Sequence, residues 1–203
     1  MIAIVDYGVG NLFSLRCSFA AIGAETAVTG DAEEIAKADR IVLPGVGAFG
    51  DARAKLAGCG LDRALVSLAA AGKPLLGICL GMQLLFEKSE EFGVHEGLGL
   101  LPGEVTDMAP RLPDGLKTPE IGWNALHLVR PEHPLLKNTC EGDCMYFVHS
   151  FSAVNCGDAL LADVEYGIPV TAAVARDNVM GCQFHPEKSG TCGLSLLRAF
   201  CEI

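Results

Sequence analysis

Strand-like and helix-like stretches alternate from Ile2 to Phe86, and that alternation restricts the fold more than any other feature of the chain. Ile2-Ala3-Ile4-Val5 is an unbroken apolar run, the mark of a strand buried on both faces. Asn11 offers an N-cap to a helix with an apolar face of Leu12, Leu15, Phe19 and Ile22, and Gly23 stops it. Ala24–Val28 reads as a second strand. Asp31, with Glu34 three residues on, is a capping-box-like start for a short helix to about Lys37. Arg40-Ile41-Val42-Leu43 is a third strand, followed by helical stretches near Phe49–Leu56 and Leu61–Ala71. Leu75–Ile78 is a fourth strand, and Leu80–Phe86 continues from it as a helix. Strands separated by helices pair in parallel, with helices on both faces of the sheet, and ligands bind at the carboxyl ends of the strands.

After Glu91 the punctuation changes. Gly and Pro separate short strands at Glu104–Met108, Trp123–Val129, Met145–Val148, Ala159–Val164, Val170–Ala175 and Val179–Phe184, which predicts antiparallel hairpins added to the parallel core. A last helix runs from about Thr191 to Cys201. The expectation is a single α/β domain over residues 1–203, flavodoxin-like, with a mostly parallel central sheet, and this length buries a core without staples. Nine cysteines, an odd number, suit free thiols better than a disulfide framework. A formal charge of -10 argues against a nucleic-acid or anionic-membrane surface. No apolar run approaches the ~20 residues of a membrane span, and Met1–Asp6 lacks the basic start of a signal peptide, so the expected compartment is the cytoplasm.

Chemistry concentrates at the end of the fourth strand. Gly77-Ile78-Cys79-Leu80-Gly81 has the small-x-nucleophile-x-small spacing of a nucleophile elbow, with Cys in the place of Ser. A nucleophile on so sharp a turn has a strained backbone, and a side chain two residues away on either side would collide with it. The turn also faces the thiol toward the first N–H groups of a helix, which favour a thiolate. A buried core cysteine fits the local pattern equally well. Gln183-Phe184-His185-Pro186-Glu187 supplies the best base: along an extended chain His185 and Glu187 point to one side, and Pro186 keeps the segment extended. A carboxylate on one imidazole nitrogen leaves the other free for a thiol proton. His95, His127 and His133 read as surface residues, and His149 as an intermediate case. Cys182, on an adjacent strand position, reads as facing away from the other two. The glycines of Pro44–Gly50 permit backbone N–H groups to turn inward as an oxyanion hole, with the Leu80 N–H beside them. Gly8 and Gly10 lack the third glycine of a dinucleotide site. Cys140, Cys144, His149 and Cys156 fit no common zinc spacing, so neither metal nor cofactor is expected.

These residues make the chain resemble the class I, triad-type glutamine amidotransferases, closest to the branch of glutaminase subunits in imidazole glycerol phosphate synthesis. The segments that carry the likeness are DYGVGN at 6–11, PGVGAFG at 44–50, GICLGMQLLFEKSEE at 77–91, GLGLLPG at 97–103, IGWN at 121–124, YFVHS at 146–150 and GCQFHPEKSG at 181–190. The resemblance implies a Cys79-His185-Glu187 triad that hydrolyses glutamine through a thioester. It implies an oxyanion hole from Val46, Gly47 and Leu80, and substrate binding by Gly47, Gln83, Glu91, Ser150 and Phe151. It also implies a heterodimer with a (β/α)8-barrel cyclase that receives the ammonia, faced by Asn11, Trp123 and Lys188, and an oxyanion loop misoriented until the partner is loaded. Val46 stands where some relatives carry a third glycine, Phe151 where Tyr is frequent, and Glu120 where His is frequent and where a change would touch the partner. Glutaminases of other pathways (anthranilate, aminodeoxychorismate, pyridoxal phosphate) and a non-catalytic flavodoxin-like binding module are the alternatives.

Overall fold

The computed structural model describes all of residues 1–203. In chain order it contains β1 Ile2–Val5, α1 Leu12–Ala21, β2 Thr26–Thr29, α2 Ala32–Lys37, β3 Arg40–Gly45, α3 Phe49–Gly58, α4 Leu61–Ala70, β4 Leu75–Cys79 and α5 Leu80–Gln83. Then follow β5 Lys88–Ser89, β6 His95–Glu96, β7 Glu104–Asp107, β8 Glu120–Ala125, β9 His127–Leu128, β10 Cys144–His149, β11 Phe151–Val154, β12 Leu160–Glu165, β13 Pro169–Arg176, β14 Val179–Cys182 and α6 Gly190–Cys201.

One eight-stranded sheet in the order β2-β1-β3-β4-β14-β13-β12-β9 forms the centre. Its pairs from β2 through β14 are parallel, and β13, β12 and β9 extend it antiparallel. Because side chains alternate along a strand, each strand feeds two cores. Ile2 and Ile4 of β1 pack with Leu15 and Phe19 of α1 and with Leu196, Leu197 and Phe200 of α6. Ala3 and Val5 face the other way, onto Ile35 of α2, Phe49 and Leu56 of α3 and Leu65 of α4. The α/β order expected of the sequence is therefore the order found. No helix is long and apolar enough to cross a membrane.

Three local expectations need correction. The helix after Cys79 lasts only from Leu80 to Gln83. The carbonyls of Leu84, Leu85 and Phe86 are taken instead by the N–H groups of Leu98, Leu100 and Gly99, so the chain leaves the helix to dock the 97–101 segment. The box at Asp31 is one-sided: Asp31 Oδ1 accepts from Glu33 and Glu34 N–H, but the Asp31 N–H goes to Thr29 Oγ1 rather than back to a Glu34 carboxylate. The added strands are hairpins only in part: β12, β13 and β14 pair antiparallel in succession as expected, but the strands before them do not. β10 pairs with β8 in a two-stranded sheet, while the next strand, β11, joins a separate sheet in the order β11-β7-β5-β6. The bend between β10 and β11, at Ser150, thus joins two sheets beside the end of β4.

Candidate active site

Cys79 ends β4 with φ 54° and ψ -115°, a left-handed conformation that a side chain occupies only under constraint. Its neighbours show the constraint. A Cβ on Gly81 would run into the carbonyl of Leu43, and one on Gly77 would lie 2.7 Å from the Met82 backbone. Only glycine on both sides lets the turn close under β3.

Since β14 lies beside β4 in parallel, with Cys182 opposite Ile78, the chain leaving each strand emerges at the same sheet edge. His185 therefore meets Cys79. Its backbone is fixed by an N–H donated to Tyr146 O at 2.9 Å and by Ser189 Oγ donating to its carbonyl at 2.7 Å. The His185 ring lines the same cavity as Cys79, and its Nδ1 lies 2.8 Å from Glu187 Oε1, whose side chain is only 1% exposed. The carboxylate only accepts here, so Nδ1 carries the proton and Nε2 serves the sulfur. Burial works against the charged ring, but the polar groups and charges of Cys79 and Glu187 outweigh it and raise the His185 pKa to about 9. The route to this contact differs from the one expected. The strand stops at Cys182, and Pro186–Lys188 is a 3-10 turn, so the turn rather than strand alternation swings Glu187 back onto the ring.

Val46, Gly47, Cys79, Leu80, Gln83, Glu91, Ser150, Phe151 and His185 all line one cavity of about 300 Å³, joined by Pro119, Val148 and His149. Gly45 pairs with Cys79 and is packed so closely that an added Cβ would come within 2.7 Å of the Gly81 nitrogen. Gly47 has φ +97°, which its missing side chain permits. Gln83 spends both amide hydrogens, on Phe151 O and on Gln183 Oε1, each at 3.0 Å, so its own Oε1 remains as an acceptor. Glu91 Oε2 accepts the Phe49 N–H at 2.6 Å.

Several contacts were not legible as such in the sequence. Gln183 donates to Cys79 Sγ at 3.7 Å. Its place two residues before His185 was the available signal. Tyr7 donates to Pro44 O at 2.8 Å, and burial, then the nearby Cys79, pushes its hydroxyl pKa up. His149 is buried, with Nδ1 donating to Phe151 O at 2.9 Å and Nε2 3.2 Å from Glu120 Oε2. Glu120 thus faces His149 inside the protein, correcting its expected place at a partner surface. Cys182 is wholly buried, and burial followed by the charges of Glu187 and Cys79 holds its thiol far above its usual pKa. His95 is half-buried against Phe49 and Gly50 rather than on the surface.

Asn11 caps α1 through the Ser14 N–H at 3.4 Å. Trp123 is 65% exposed and meets Tyr146 edge-on at 5.0 Å, while Nζ of Lys188, in the 3-10 turn after His185, lies 5.4 Å from the centre of the same ring. Ile121, two residues along β8, is 62% exposed. No three His, Cys, Asp or Glu side chains converge as metal ligands.

Comparison with known proteins matches residues 3–202 to the family described as glutamine amidotransferase class-I. The chain is 48% identical to the imidazole glycerol phosphate synthase subunit HisH of Wolinella succinogenes, covering 100% of both chains. It is 50% identical to the HisH subunit of Methanothermobacter thermautotrophicus, covering 100% of this chain and 98% of that one. Among solved structures, a glutamine amidotransferase superposes with a TM-score of 0.77 at 18% identity, over 99% of this chain and 97% of that one. PurLQS from Thermotoga maritima gives 0.77 at 20%, over the same shares. These two share the fold.

Proposed function

The chain belongs to the class-I glutamine amidotransferase family, in the HisH branch, and from that premise we propose that the cavity at the end of β4 hydrolyses glutamine to glutamate and ammonia. The observation that carries the reading is the His185 ring, set in one cavity with Cys79 and bonded through Nδ1 to a buried carboxylate. Cys79 as thiolate attacks the γ-carboxamide carbon, and the oxyanion that forms is held by backbone N–H groups of Val46 or Gly47 and Leu80. His185, protonated at neutral pH, gives its Nε2 proton to the leaving nitrogen as the C–N bond breaks, so ammonia departs and a thioester remains. A water then gives its proton to the now neutral ring, attacks the thioester, and releases glutamate with the thiolate restored. Glu187 keeps the ring in the tautomer that serves the sulfur, and the Gln183 amide adds a donor to the same sulfur.

The α-amino end of glutamine is assigned by what the wall has left to give. The free Oε1 of Gln83 and the Oε1 of Glu91 accept from the ammonium. Phe151 O already receives two donors, so Ser150 is left for the carboxylate. Glutamine is the substrate, and no cofactor enters these steps. The ammonia goes to a separate cyclase subunit, a (β/α)8 barrel, for the synthesis of imidazole glycerol phosphate and aminoimidazole carboxamide ribotide in the cytoplasm. Trp123 and Ile121, apolar and exposed beside Lys188, provide an anchor for that subunit, with Asn11 as a further contact.

Glutamate release by the purified chain, alone and with the cyclase and its ribotide ligand, tests the reading. Release should rise strongly with the loaded partner and vanish in Cys79→Ala while the two subunits still assemble. Release by Cys79→Ala at the wild-type rate would remove the mechanism.

A further inference from the structure

One face of α3 is fastened to the loop that carries Glu91. The Phe49 N–H donates to Glu91 Oε2 at 2.6 Å. Gly50 lies beneath the His95 ring, where an added Cβ would come within 2.7 Å of Cε1, so the imidazole occupies the room a side chain would take. Arg53 Nε donates to Glu96 O at 3.2 Å. Residues 49, 50 and 53 share one side of the helix. Ala48, the N-cap of α3, has no side chain able to cap it, and the Glu91 carboxylate, 42 positions beyond Phe49, does that work.

The start of α3 is also the end of the Val46–Gly47 loop, with Ala48 alone between Gly47 and Phe49. The other end of the loop is pinned where Tyr7 holds Pro44 O and Gly45 pairs with Cys79. The backbone that is to receive the oxyanion hangs between two anchors, and the second anchor is the 91–96 segment.

We propose that residues 91–96 act as a tether that sets the Val46–Gly47 backbone for the reaction, with His95 and Glu91 Oε2 as its positioning groups. Glu91 then serves two ends at once, one oxygen holding α3 and the other receiving the substrate ammonium, so that recognition of the amino acid and readiness of the oxyanion loop share one carboxylate. This rests on the glutaminase reading of the cavity.

The test uses the two-subunit enzyme with its cyclase ligand bound, comparing wild type with His95→Ala, Gly50→Ala and the double variant. His95 does not line the cavity, so KM for glutamine should stay within about twofold, while kcat falls roughly tenfold, less than deletion of an oxyanion donor itself. Both single changes break one contact, so the double variant should be no slower than the slower single one. Alkylation of Cys79 by iodoacetamide, followed by peptide mass, needs the thiolate but no oxyanion hole, and should keep its wild-type rate. An unchanged kcat in His95→Ala overturns the proposal; so do losses that multiply in the double variant, or alkylation that slows in step with kcat. If Gly50→Ala does not fold, His95→Ala decides alone through its kcat and alkylation rates. A wild-type pair that releases no glutamate removes the underlying reading instead, whatever His95 does.

Discussion

Replacing Glu187 by Gln keeps the shape of a buried side chain and removes its charge. The structure sets a limit on the cost. The rise of the His185 pKa from 6.5 to about 9 amounts to about 3 kcal/mol in favour of the protonated ring, or a few hundredfold. Cys79 provides part of that rise and Glu187 the remainder, against burial. Glu187→Gln should therefore lower kcat for glutamate release by roughly ten- to a hundredfold, since the ring must hold a proton as the tetrahedral intermediate forms. The pH profile is the sharper readout. Wild-type activity should fall above about pH 9, where the ring loses the proton it gives to the leaving ammonia, and in the variant that fall should begin at lower pH. Stability follows the same group. A folded-state value above the free value means stabilisation that is fully present below pH 6.5 and lost as pH rises through about 9. Glu187→Gln should accordingly reduce the melting temperature more at pH 6 than at pH 10. A variant with wild-type kcat and an unmoved alkaline limb would refute the reasoning.

Further outcomes follow from other contacts. Gly81→Ala drives a Cβ into the Leu43 carbonyl, a backbone that cannot step aside, so thermal denaturation should show a loss of about 3 kcal/mol or more, or no soluble protein. Cys182→Ala should retain glutaminase activity within a few-fold, and at pH 8 iodoacetamide should label Cys79 but not Cys182, because burial keeps the latter a thiol; labelling of both would contradict the packing. Trp123→Ala removes an exposed ring, so the melting temperature should hardly change while the dissociation constant for the cyclase rises roughly ten- to a hundredfold in a titration by calorimetry. An unchanged constant would place the partner elsewhere.

Local rules carried the order of strands and helices along the chain because each element signals itself within a few residues. The apolar runs at Ile2–Val5, Ile41–Leu43 and Leu75–Ile78 sit where β1, β3 and β4 sit, β2 lies at Thr26–Thr29 within a residue or two of its expected place, and Asn11, Asp31 and Gly23 mark helix ends by their own backbone chemistry. The elbow was legible for the same reason, since its glycines stand two residues on either side of Cys79. Where the reading failed, the deciding partner lay far along the chain. Nothing within Leu84–Phe86 forbids a longer helix; the 97–101 segment takes its carbonyls. Nothing around Glu120 points inward until β8 pairs with β10 and brings His149 to it.

Glu91 shows why such a site exceeds its motifs. As sequence it is one acidic residue in a polar run, Lys88-Ser89-Glu90-Glu91, and a charged surface turn explains it well enough. Its place depends on β5 and β6 closing a loop against α3, so that one oxygen meets an N–H while the residue lines the cavity. An aspartate there would be one methylene shorter and could not span both. Glu91→Asp should therefore lose more than a shared ammonium contact is worth: kcat should fall along with affinity for glutamine, whereas a residue that only binds the amino group would raise KM and leave kcat in place. Steady-state rates in the loaded two-subunit enzyme separate the two, and a rise in KM with kcat intact would confine Glu91 to binding.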